Sequence, residues 1–113
     1  MVKIDSFAFG EIVVDGKTYY SDVIVKWDGN VEYVTKRHVL DASDLAAILK
    51  KDAEIIVIGT GERGSVKLKE EFEEIAERKR IRVYVHTTPK AIELFNAFAV
   101  AGKKVVAFIH TTL

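Results

Sequence analysis

Residues able to do chemistry gather at Gly59-Thr60-Gly61-Glu62-Arg63-Gly64, which satisfies G-x-G-x-x-G literally. The stretch follows an apolar β-branched run, Ile55-Ile56-Val57-Ile58, and precedes a helical pattern, the context in which the motif signals a phosphate-binding loop. Glycines permit a tight turn and close backbone approach, and free N–H groups at a helix start attract negative charge. A dinucleotide fold also needs an acidic residue about 20 positions on, at the end of the next strand; that strand ends Tyr84-Val85-His86. The loop therefore reads first as a strand-to-helix turn that uses glycine for backbone geometry, and second as a phosphate or carboxylate site. With strands 55–58 and 81–86 parallel and joined by a right-handed crossover, the loop would lie beside His86, Thr87 and Thr88. Gly59, Thr60, Gly61, Arg63, His86, Thr87 and Thr88 are thus the candidate ligand residues, with Lys67 adding positive charge. Such a cleft suits a small anion without itself performing chemistry.

The catalytic inventory is thin. His38, His86 and His110 lack the close spacing of a helical metal site, and no H-E-x-x-H occurs, so neither a metal nor a cofactor is expected. The absence of cysteine removes thiol nucleophiles and thiolate ligands. Ser6, Ser21, Ser43 and Ser65 lack a nucleophile-elbow context, and Ser65 is expected to cap the second helix. No residue is assigned a catalytic role, and a non-enzymatic reading is favoured over an enzyme.

The elements that must position the loop are legible from turn and periodicity signals. Asp15-Gly16 and Asp28-Gly29 sit between β-rich runs as type I′ hairpin turns do, predicting a β-meander over 4–35 with strands near 11–14, 19–27 and 30–35. Trp27 is read as an edge or core anchor. Asp41 is the expected N-cap of a helix running to about Lys50, with Leu45, Ile48 and Leu49 on its buried stripe. The run 55–58, apolar on both faces, predicts a strand covered by helices on both sides. A second helix is expected from Val66 to Lys79, its apolar face carrying Leu68, Phe72, Ile75 and Ala76. A strand over 81–86, a third helix capped by Thr88 with Pro89 first, and a closing strand near 104–110 complete the chain.

The third helix carries only three polar residues, Lys90, Glu93 and Asn96, so it must be covered on nearly all sides. In so small a domain part of that cover is expected from another chain, either a second copy or a different protein docking on the 89–101 helix.

Composition bounds the rest. The 113 residues make one domain, 1–113, with a single core's worth of apolar side chains. Seventeen basic and seventeen acidic residues cancel, so no overall field gathers nucleic acid or anionic lipid. No run approaches a membrane span, and the first residues lack a signal-like apolar stretch, so a cytoplasmic location is expected. Glutamine is absent and Lys plus Glu supply 22 residues, a bias typical of hyperthermophilic proteins.

Several stretches together resemble one domain family from end to end: Ser6-Phe7-Ala8-Phe9-Gly10, Val14-Asp15-Gly16, Tyr20-Ser21-Asp22-Val23-Ile24, His38 before Asp44-Leu45, Ile58-Gly59-Thr60-Gly61, Ala91 with Asn96, and Gly102-Lys103-Lys104-Val105-Val106-Ala107. The family is a domain of unknown function shared by small archaeal and bacterial proteins, the adipogenesis-associated Mth-type domain protein and a mitochondrial assembly factor of respiratory complex I. The resemblance implies a three-layer α/β fold, with a central mixed sheet, helices on both sides and an added β layer from the N-terminal part. It allows the last strand to run antiparallel to its neighbours, offers no catalytic residues to carry over, and points to assembly or regulation in eukaryotic members. Arg37 stands where the family tends to have glycine, Lys103 where arginine is expected, and Gly64 looks private to this chain.

Overall fold

The computed structural model describes residues 1–113 and contains ten strands and three helices. Strands β1 (Ile4–Ala8), β2 (Glu11–Val14) and β3 (Lys17–Tyr19) form a three-stranded antiparallel meander. Asp15 and Gly16 at its second turn both have positive φ, 48° and 80°, as a type I′ turn requires.

Strands β4 (Asp22–Lys26) and β5 (Val31–Val34) open a second sheet, so the run expected as one strand over 19–27 is broken at Tyr20-Ser21, where the chain changes sheets. The Asp28-Gly29 turn also differs from a two-residue hairpin. Only Gly29 is left-handed, at φ 95°, Gly29 N–H donates to the Lys26 carbonyl, and the Lys26 N–H reaches on to Asn30. This is a longer loop with the glycine as its bulge.

After β6 (Val39–Leu40), helix α1 (Ala42–Leu49) starts at Asp41 with a complete capping box. The Asp41 carboxylate accepts from the Ser43 and Asp44 N–H groups, and Asp44 accepts from the Asp41 N–H. Strand β7 (Ile55–Gly59) follows, then β8 (Lys67–Leu68), α2 (Glu70–Arg78), β9 (Arg82–His86), α3 (Thr88–Val100) and β10 (Val105–Ile109). The second helix thus begins four residues later than the periodicity suggests. Lys67 and Leu68 pair instead with Val39 and Leu40 in a short parallel ladder, which holds residues 66–69 extended.

The main sheet runs β5-β4-β10-β7-β9, with β10, β7 and β9 parallel and β4 and β5 antiparallel to their neighbours. The last strand is therefore parallel to one neighbour and antiparallel to the other. Alternation along β7 sends Ile55 and Val57 to one face and Ile56 and Ile58 to the other. The first face packs against α3 and the meander, through Ala91, Phe95, Ile4, Ile12 and Val14. The second packs against α1 and α2, through Leu45, Ile48, Phe72 and Ala76. The result is the three-layer mixed α/β architecture that the family resemblance implies, with the meander as the added β layer.

Helix α3 lies between the sheet and β1, and the Asn96 amide exchanges two hydrogen bonds of 2.9 Å with the Ile4 backbone. Its stripe of Thr88, Ala91, Phe95 and Ala99 is buried, Ile92, Leu94 and Phe98 are half-buried against the same core, and Ala97, Val100 and Ala101 stay exposed. The buried face of this apolar helix is thus covered by the main sheet and, through β1, by the chain's own meander. The Trp27 indole is half-buried, touches both cores, and donates to the Lys51 carbonyl at 3.2 Å. No helix is long and apolar enough to cross a membrane.

Candidate functional site

The parallel strands β10, β7 and β9 end at the same side of the sheet, where open α/β folds place their ligands. The Gly59–Gly64 loop leaves β7 there, beside His86 at the end of β9 and His110 just past β10. Topology therefore brings the candidate residues Gly59, Thr60, Gly61, His86, Thr87 and Thr88 to one end of the sheet, with Arg63 on the outer side of the loop.

Most of their polar groups are used within the chain. The Thr88 hydroxyl is fully buried, accepts from Gly61 N–H at 2.9 Å and donates to the His110 carbonyl at 2.7 Å. It ties β7, β10 and α3 together and does not cap α3, whose N-cap is Thr87, without a side-chain cap. The Thr60 hydroxyl donates to the His86 carbonyl at 3.0 Å. Ser65 does not cap α2 either; its Oγ is buried without a partner, and Lys69 stands at the N-cap.

The loop's N–H groups meet the chain's own last residues. Glu62 N–H donates to the Thr112 carbonyl at 2.7 Å, while Arg63 and Ser65 N–H converge on the Leu113 carbonyl at 2.9 and 3.2 Å. Gly61 has φ 104°, and a Cβ there would stand 2.3 Å from the Leu113 carbonyl carbon. Glycine at 61 is thus required both by its backbone angle and by the seated tail.

The root of that tail is held by a buried cluster. His110 Nδ1 lies 2.7 Å from Asp22 Oδ2, and Asp22 Oδ1 accepts from the Thr111 N–H and hydroxyl at 2.9 and 3.2 Å. With Asp22 a carboxylate, Nδ1 carries the proton and Nε2 is left to accept from the Thr112 hydroxyl, 3.1 Å away. The His38 ring packs edge-on against His110, with centroids 5.2 Å apart. Carboxylate, imidazole and hydroxyl stand in the order of a nucleophilic triad. Thr112 lines none of the hollows in the surface, however, and the neighbouring loop N–H groups are already donated to the tail. The cluster fastens the C-terminal segment. Reasoning from sequence missed it, because Asp22 and His110 stand 88 positions apart; the only trace was a polar residue at one end of each of two apolar runs.

What the site leaves open is a cleft of about 370 Å³ toward α2, lined by Thr60, Gly64, Lys67, Glu73, His86 and Thr87. The Arg63, Lys67 and His86 side chains carry no ion-pair partner. A second, smaller hollow of about 160 Å³ lies between the sheet and α1, floored by Ile24, Ile48 and Phe108 and rimmed by Val34, Arg37 and Asp44.

Comparison with known proteins matches this architecture over its whole length. The chain is similar to the conserved hypothetical protein PH1505 from Pyrococcus horikoshii OT3, with 28% identity and a TM-score of 0.86 over 98% of this chain and 99% of that one. It is similar to MT938 at 27% identity, TM-score 0.84, with both chains covered completely. A Bordetella pertussis protein described as an Mth938-like domain shares the fold at 16% identity and TM-score 0.67, over 96% of this chain and 85% of that one. Residues 4–110 match the sequence model for a protein family of unknown function, and the chain is a member of that family, DUF498/DUF598.

Proposed function

We propose that this domain is a binding or assembly module that recognises another protein chain, a second copy included, and that it performs no catalysis. One observation carries the reading: at the ligand end of the parallel strands the Glu62, Arg63 and Ser65 amides, the Thr88 hydroxyl and the His110–Asp22 pair are spent on holding the chain's own C-terminal segment, and the Thr60 hydroxyl on the His86 carbonyl. Recognition then falls to the outer surface, which exposes Phe9, Tyr20, Tyr33 and Val100. A cysteine-free chain of this size accords with a cytoplasmic setting, since small secreted domains lean on disulfides. Native mass spectrometry of gently purified protein tests the reading. A dimer, or a stoichiometric complex with another protein, is expected; a bare monomer overturns it.

The open cleft beside Lys67, His86 and Thr87 favours a second reading, a site for a small phosphate or carboxylate ligand near Arg63. An added small-molecule mass that disappears in Arg63→Ala would establish it. Absence of saturable phosphate binding by the unmodified protein would remove it.

A further inference from the structure

The geometry points to β5 as a self-pairing edge: two copies join β5 to β5, antiparallel across a two-fold axis, so that two five-stranded sheets become one of ten strands. The inference rests on the binding-module reading and names its partner as a second copy of this chain.

β5 has a neighbour only in β4, paired as Asp22 with Val34, Val23 with Tyr33, Ile24 with Glu32 and Val25 with Val31. The Lys26–Asn30 hydrogen bond sets the phase of the antiparallel ladder. Glu32 and Val34 therefore turn their N–H and C=O groups, and Asn30 its C=O, toward β4, and Val31, Tyr33 and Thr35 turn theirs outward. An incoming antiparallel strand must place outward residues opposite outward residues, which leaves only registers two residues apart.

Charge chooses among these registers, since centring on Tyr33 sets Glu32 opposite Val34 and pairs no charges. Centring on Glu32 sets two carboxylates directly opposite each other, which repel. Centring on Val34 sets Glu32 opposite Lys36 of the second copy, twice by symmetry, and Tyr33 opposite Thr35. The two Val34 side chains meet at the axis in the closer, non-hydrogen-bonded type of pair, over the apolar hollow that Val34 and Thr35 rim. The two Tyr33 rings become diagonal neighbours within aromatic reach. That gives cover to a tyrosine left 62% exposed against Tyr19 in the single chain. The opposite edge, β9, offers no such match: its only charged or titratable side chains besides Tyr84 are Arg82 and His86, and Arg82 is laid over Tyr84 and Phe98.

Sedimentation velocity and native mass spectrometry over a concentration series, with circular dichroism as a check of folding, test the pairing. The wild-type chain is expected to dimerise, and Glu32→Lys or Lys36→Glu alone to weaken the dimer about tenfold or more, because each turns two attractions into two repulsions. The Glu32→Lys, Lys36→Glu double variant should restore it. Lys51→Ala, which removes Glu32's ion-pair partner within the chain, should leave it unchanged. A second measurement needs no variant: exchange of the Tyr33 and Thr35 amides should slow as concentration rises. A dimer indifferent to the charge reversals overturns the β5 pairing and leaves the binding-module reading standing, as does a monomer that retains another protein. A monomer that retains nothing overturns both.

Discussion

The His110 Nδ1 atom sits 2.7 Å from Asp22 Oδ2, with side-chain exposures of 0% and 1%, so one contact closes the end of the sheet onto the strand that begins 88 residues earlier. Asp22→Ala would strand three donors at once: the imidazole N–H, the Thr111 N–H and the Thr111 hydroxyl. Unpaired buried groups of this kind cost about 1–3 kcal/mol each. Urea unfolding should show at least about 3 kcal/mol lost, with Asp22→Asn losing less; a loss below about 1 kcal/mol for Asp22→Ala would mean water satisfies the cluster.

The Thr88 hydroxyl makes a separable case, since it both accepts from Gly61 and donates to the His110 carbonyl in a fully buried setting. Thr88→Val keeps the shape and orphans both partners, so it is expected to cost about 2–4 kcal/mol. Thr88→Ser keeps the oxygen and should cost about 1 kcal/mol for the lost methyl. Equal losses in thermal or urea unfolding would assign the residue to packing alone.

Gly61→Ala addresses the tail directly. A Cβ at φ 104° is strained, and it would overlap the Leu113 backbone, so the C-terminal residues must leave their seat. The Glu62, Arg63 and Ser65 amides should then exchange quickly with solvent, and protease should trim the chain past Thr111. Unchanged protection of those three amides would show that the tail stays in place despite the substitution.

The α1 cap predicts a pH dependence of definite sign. Hydrogen bonds from the Ser43 hydroxyl and then the Asp44 N–H hold Asp41 down to about 2, from an ordinary value of 3.8. A carboxyl depressed on folding stabilises the fold above the unfolded value and loses that contribution as pH falls through the folded one. The stability difference between wild type and Asp41→Ala should therefore be flat near neutral pH and shrink between about pH 4 and pH 2. A difference that persists at about pH 2 would place the effect of the substitution in helix propensity instead of the charged cap.

Local signals decided a good part of this protein. Asp15-Gly16 specifies its own left-handed turn, Asp41 and Asp44 find each other three residues apart, and Ile55–Ile58 is apolar on both faces because two layers cover it. In each case the interaction lies within a few residues, so sequence spacing is also spatial spacing. Where the local signal and a distant partner competed, the partner won. Thr88 is a good cap by type, but its hydroxyl is worth more between Gly61 and His110, and Val66–Lys69 continues a helical pattern, but the β6 backbone offers those residues a ladder.

The site divides the same way. Glycines in a loop after an apolar strand were visible in the amino-acid order, as was the approach of His86 to that loop once the two strands were taken as parallel. That the loop amides close on Thr112 and Leu113, and that Asp22 and His110 share one buried hydrogen bond, was settled only by the strand order β4-β10-β7, which places the chain's end between segments far from it in sequence. The residue types alone determined which groups could bond. Tertiary structure decided which did, because a buried donor takes whatever acceptor the topology brings within about 3 Å, at any separation along the chain.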